Sequence, residues 1–164
     1  MLISIPYNRE AAAAYAERWA LSRNPRYANF DNMGGDCTNF ISQCLYAGCR
    51  VMNYTPVYGW YYNNLNSRSP SWSSVEYLYK FLITNEGAGP FCVETDREHM
   101  QIGDVVQLRD ESGRYYHSLL VMSNTNGNIL IACHTYDYLN RPLDSYTSAA
   151  GMRYLHIVGA RKWA

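Results

Sequence analysis

Cys37 opens an apolar helical run behind two glycines and an aspartate, in the segment Gly34-Gly35-Asp36-Cys37-Thr38-Asn39-Phe40. A thiol attacks well only as thiolate, and a helix N-terminus or a nearby imidazole lowers its pKa. Gly34 and Gly35 let the backbone turn sharply and keep bulk away from the sulfur. Asp36 is placed to cap the helix. The amides of Cys37 and Thr38 lack intrahelical partners there and can hold an oxyanion. An ordinary Gly-Gly-Asp cap with a buried thiol behind it is the competing reading. Cys44 lies on the apolar face of the same helix and reads as core. Cys49 follows the expected helix stop, beside Arg50, with no array of amides.

Two histidines flank a hairpin signal. Asn126-Gly127 is a preferred centre for a two-residue type I′ turn. Pairing Thr125 with Asn128 and counting outward sets His117 opposite Tyr136 and Leu119 opposite His134. Side chains alternate along a strand, so His117 and His134 are expected on one face as diagonal neighbours, with Cys133 and Asp137 on the other. This predicts His117 as general base and His134 as the residue that orients it; a slipped register would make Asp137 the orienter. Two histidines filling sheet positions is the plain alternative. The pair lacks a third ligand at a recognisable spacing, so no metal site and no cofactor are expected. His99 reads as exposed and His156 as structural.

The elements that must carry these groups follow from periodicity. Asn8 to about Arg23 reads as an amphipathic helix stopped by Asn24-Pro25, and Cys37 to Ala47 as a second one, with Gly48 at its stop. Ser73 and Glu76 form a capping-box pattern for a third. Val51 to Ser71 is irregular and aromatic. Trp60, Tyr61 and Trp72, together with Asp36, are therefore candidates for lining a substrate groove. After Gly89 the period becomes that of strands: Asp104–Arg109, Tyr115–Ser123, Asn128–Tyr136 and Arg153–Gly159. Helices followed by strands predict an α+β fold with an antiparallel sheet, as one domain over residues 1–164.

Composition narrows the function class. Lys plus Arg equals Asp plus Glu at 14 each, which argues against nucleic acid as a partner, since phosphate binding needs a basic face. No stretch approaches a membrane span, and the first residues lack the pattern of a signal peptide. Five cysteines without a C-x-x-C pair do not resemble a disulfide framework.

Taken together, YNREAAAAYAERWA, GGDCTNFISQCLYAG, GWYYN, SPSWSSVEYLYKFL, IGDVVQL, YYHSLLV and HTYD resemble the putative amidase domain family. That family lies within the papain-like group of CHAP amidases and NlpC-type peptidases. The resemblance runs from about Tyr7 to Ile157. It implies a helix bearing Cys37 packed on a small antiparallel sheet bearing His117, with His134 at the position of the polar residue that orients the base. It also implies thioester-mediated hydrolysis of a peptide or peptidoglycan-like amide, and extracellular or cell-wall use. Acyl or peptidyl transfer with the same apparatus, or a non-catalytic cell-wall binding module, are the other classes to be distinguished.

Overall fold

A computed structural model describes every residue from Met1 to Ala164. Strand β1 (Leu2–Ile5) leads into helix α1 (Arg9–Trp19), and a long turn-rich segment then reaches helix α2 (Cys37–Cys49). A small hairpin, β2 (Tyr62–Asn64) and β3 (Ser67–Arg68), precedes the single turn α3 (Pro70–Ser73) and helix α4 (Val75–Thr84). Six further strands follow: β4 (Gly89–Thr95), β5 (Val105–Arg109), β6 (Tyr115–Thr125), β7 (Asn128–Cys133), β8 (Tyr138–Pro142) and β9 (Gly151–Trp163). Seven of the strands form one antiparallel sheet in the order β1-β9-β5-β6-β7-β8, with β4 also paired to β9. The expected α+β class with an antiparallel sheet is therefore observed.

Helix α1 starts where Asn8 accepts the Ala11 N–H at 2.9 Å. Its buried face is Ala12, Ala13 and Ala16, small enough for close packing on α2. Gly48 does not end α2. It makes room for the neighbouring chain, since a Cβ there would lie 2.4 Å from the Tyr7 ring, and its carbonyl accepts the Asn8 N–H. The stop is Arg50 in the left-handed conformation, φ 59°, with its N–H on the Tyr46 carbonyl. The Ser73–Glu76 capping box also does not form. Ser74 occupies the cap position of α4 without a side-chain bond, and Glu76 instead pairs with Arg153 at 3.1 Å.

Every residue from Cys37 to Leu45 is buried, so α2 is a central helix rather than one with a wet face. It lies on the sheet face that carries Val105, Leu120, Ala132, Leu155 and Ile157. The opposite face holds a second core of Val106, Leu108, Leu119, Val121, Ile131, Cys133 and Leu143.

Candidate active site

The turn at Asn126-Gly127 forms as expected, with Thr125 opposite Asn128 and Asn126 at φ 55°. The register does not persist. Asn124 faces Ile129 and Ser123 faces Leu130, but Val121 then faces Ile131 and Leu120 faces Ala132, which leaves Met122 as a bulge. One extra residue on β6 shifts every pairing beyond it, and a shift of one moves a side chain to the other face. The expected pairings of Leu119 with His134 and of His117 with Tyr136 are thus absent. Cys133 joins Leu119 on the face of His117, and His134 faces the helices. The run to Tyr136 is also not all strand. β7 ends at Cys133, and Thr135 and Tyr136, at φ 59° and 57°, turn the chain back into β8.

His134 is engaged elsewhere. Its Nδ1–H donates to Asp36 Oδ2 at 2.5 Å, its Nε2–H donates to the Trp19 carbonyl at 2.7 Å, and its ring stacks on Phe40. It joins the end of α1 to the residue before Cys37. Asp137 does not orient His117 either, because it holds Arg23 through two bonds of 2.7 and 3.0 Å. His117 receives no hydrogen bond from any side chain; its ring lies 6.0 Å from that of Tyr146.

Asp36 stands at the cap position of α2 but makes no capping bond with its side chain. Oδ1 instead accepts the Phe30 N–H and the Asn39 amide, both at 2.8 Å, while Oδ2 accepts from His134 with Arg23 Nε at 3.5 Å. Burial pushes this carboxyl up, but the bonds from His134, Asn39 and Phe30 outweigh it and hold it below its ordinary value. Its backbone N–H donates to Thr135 Oγ1 at 2.9 Å, so Asp36 ties the start of α2 to the β7–β8 turn. Being fully buried, Asp36 does not line a groove.

Cys37 is reached from two sides. Thr38 Oγ1 lies 3.7 Å from the sulfur, and the Ser118 N–H of β6 also reaches it. Thr38 Oγ1 meets Ser118 Oγ at 3.0 Å, and Gln107 donates to Ser118 Oγ at 3.1 Å, which fixes α2 against β5 and β6. Burial nevertheless pushes the Cys37 thiol above its ordinary value, against these bonds, and it does so for Cys44, Cys49, Cys92 and Cys133 too. The sequence expectation of a thiol made acidic by the helix is not met in this state, because desolvation exceeds the stabilisation. For His117, burial first and the positive charge of Arg141 second lower the pKa to about 4. The site at rest therefore holds a neutral thiol and a neutral imidazole.

Two hollows meet at Gly34, Gly35, Cys37 and Tyr116. One of about 280 Å³ is completed by His117, Thr135, Tyr136, Tyr138, Arg141 and Tyr146. The other, of about 550 Å³, runs past Ser73, Ser74, Glu76, Arg114, Tyr115 and Arg153. The structure thus brings Cys37 and His117 to one hollow. Gly34 and Gly35, at φ 95° and 106°, form its floor beside the sulfur in a conformation that other residues rarely adopt.

The aromatic segment is placed differently from expectation. Trp60 and Trp72 are fully buried, 4.7 Å apart between ring centroids. Their indole N–H groups donate to Ser42 and Asn39, both at 3.0 Å. Large rings gain most by leaving water when their one polar atom finds a partner, and α2 supplies both partners. Tyr61 is half-buried against Tyr54 and lines neither hollow. The aromatic wall of the site comes instead from Tyr115, Tyr116, Tyr138 and Tyr146. The only sequence signal for them was tyrosine density near His117 and after His134.

The molecule is an α+β protein with a thiol and a histidine facing one cleft. It belongs to the putative amidase domain family, whose model matches residues 6–157. Over 162 residues it is 36 % identical to YhbB of Bacillus subtilis strain 168, an alignment covering 93 % of this chain and 50 % of that protein. Over 153 residues it is 27 % identical to YjcM of the same organism, covering 88 % and 35 %. Both relatives are named as uncharacterized. The chain spans half or less of the length of these relatives. No solved structure matches it.

Proposed function

We propose that this chain hydrolyses an amide bond through a thioester on Cys37, with His117 as general base and then acid. The observation that carries this reading is the single hollow shared by Cys37, at the first position of α2, and His117 of β6. A nucleophile on a helix start, packed against an antiparallel sheet that bears the base, is the papain-like arrangement, and the reading includes that fold.

At rest the thiol holds its proton and the imidazole is free to take it. As sulfur bonds to the carbonyl carbon, its proton passes to the neutral His117. The unpaired amides at the start of α2 face the developing oxyanion, and the Ser118 N–H stabilises charge on sulfur. When the tetrahedral adduct collapses, His117 returns the proton to the leaving amine. Water then attacks the thioester, giving its proton to His117, and the acid is released with the thiol restored. The two hollows either side of Cys37 suit the two sides of the scissile bond. His134 acts here as a positioning residue for Asp36 and α2. The substrate class in this reading is a peptidoglycan or small peptide amide.

The test is mass spectrometry of peptidoglycan fragments before and after incubation, with and without an added amine. New amine and acid ends are expected from the native chain and from neither Cys37→Ser nor His117→Ala. Persistent cleavage by both variants sinks the mechanism. Incorporation of the added amine in preference to water replaces hydrolysis with transfer.

A further inference from the structure

Arg141 is a cation of the site without an anion. Arg9, Arg23 and Arg153 hold carboxylates at 2.7, 2.7 and 3.1 Å, whereas Arg141 holds none. Its guanidinium is nonetheless fixed: Nε donates to Ser145 Oγ at 2.6 Å, and the group lies over the rings of Tyr138 at 4.2 Å and Tyr146 at 4.1 Å. Both Nη groups make no hydrogen bond within the chain. A planar donor fork held by its face and its inner edge keeps its outer edge free for a planar acceptor.

A local irregularity puts it there. In β8, Leu139 pairs with Ala132 and Arg141 with Ile131, so Asn140 is bulged out, with φ 59°. In an unbroken strand, Arg141 would share a face with Leu139, which packs on the helix-side core. The extra residue carries it to the face of Tyr138, Cys133 and His117, and so into the 280 Å³ hollow.

We propose that Arg141 binds a carboxylate carried by the substrate beside the scissile amide, which makes it a specificity-determining residue of the cleft. The proposal rests on the amidase reading of Cys37 and His117. The hollow has room for one small residue-sized group, and an arginine fork fits a carboxylate through two parallel bonds.

Alkylating reagents of opposite charge type test it without a known substrate. Iodoacetate and iodoacetamide deliver nearly the same group to sulfur, one with a carboxylate and one without. The ratio of their rates at Cys37 is expected to exceed the ratio for glutathione by about tenfold, since a cation lining the same hollow attracts only the anion. In Arg141→Gln the ratio should fall to that of glutathione, through loss of the iodoacetate rate. A second measurement needs no reactive thiol. The Nε–H signal of Arg141 in isotope-labelled native chain should shift on titration with N-acetylglycine and not with N-acetylglycinamide. Equal ratios in native chain and variant, or no shift that depends on the carboxylate, overturn the proposal while leaving the thiol mechanism intact. An inert Cys37 together with a carboxylate-dependent shift at Arg141 sinks the mechanism and keeps the anion site.

Discussion

The Nδ1–H of His134 donates to Oδ2 of Asp36 at 2.5 Å, and both residues are almost completely shielded from solvent. The bond ties the end of β7 to the residue immediately before Cys37, and the second bond of the same ring, to the Trp19 carbonyl, brings in the end of α1. Removing His134 leaves the buried Asp36 carboxyl short of a hydrogen-bond donor. His134→Ala is therefore expected to cost about 3 kcal/mol of unfolding free energy. Asp36→Asn should cost less than Asp36→Ala, because the amide oxygen still accepts from Phe30 N–H. A double-mutant cycle by urea denaturation measures the coupling; strictly additive losses would remove the bond from the account. If His134 positions α2 and does not orient His117, its replacement should leave the pH dependence of Cys37 alkylation where it was.

The two buried tryptophans make a second expectation. Trp60→Ala or Trp72→Ala opens a cavity and takes the indole donor away from the Ser42 hydroxyl or the Asn39 amide oxygen, although Ser42 still donates to the Trp72 carbonyl and Asn39 to the Ala28 carbonyl. Each should lower stability by about 3–5 kcal/mol. Alkylation of Cys37 per folded molecule should change little. Thermal melts run beside labelling would show the reverse pattern if these rings touched substrate.

His117 makes stability depend on pH. In the unfolded chain it titrates near the ordinary value of 6.5, and in the folded chain at about 4. Above the first value neither state binds the proton. As pH falls through the window between the two, only the unfolded chain binds it, so native stability falls, by roughly 3 kcal/mol at the lower end. His117→Gln should abolish that part of the loss. Denaturant unfolding of both proteins across the window checks it, and parallel pH curves would contradict the assignment. Asp36, also held below its ordinary value, contributes a loss of the same sign in both proteins as pH falls through its own folded pKa.

Gly35 sits at φ 106°, and a Cβ there would lie 3.4 Å from Thr135 Oγ1, the acceptor of the Asp36 N–H. Gly35→Ala should cost about 1–3 kcal/mol in backbone strain. It should also slow Cys37 alkylation, because the strained loop forms the floor beside the sulfur. A variant of native stability and native labelling rate would show that the loop tolerates side chains.

The candidate chemistry and the elements that bear it follow from local residue preferences. The thiol behind Gly34-Gly35-Asp36 had to open a helix, because the apolar period of Phe40, Ile41, Cys44 and Leu45 begins there and nowhere earlier. His117 had to lie in a strand, because the alternation around it has period two. Asn126-Gly127 had to turn, because both residues accept positive φ. Those are local properties, written in each residue's own backbone preferences. Which face each group reached depends instead on how the whole chain packs. The bulge at Met122 has no mark of its own in the sequence, and the one at Asn140 has only an asparagine, which tolerates its φ of 59° without requiring a bulge; both arise from how neighbouring strands twist and pack. The first moved His134 from His117 to Asp36, and the second brought Arg141 into the cleft. Trp60 and Trp72 went inside for a related reason: their partners Ser42 and Asn39 lie on α2, distant in sequence, and a buried indole is favourable only where its N–H finds such a partner.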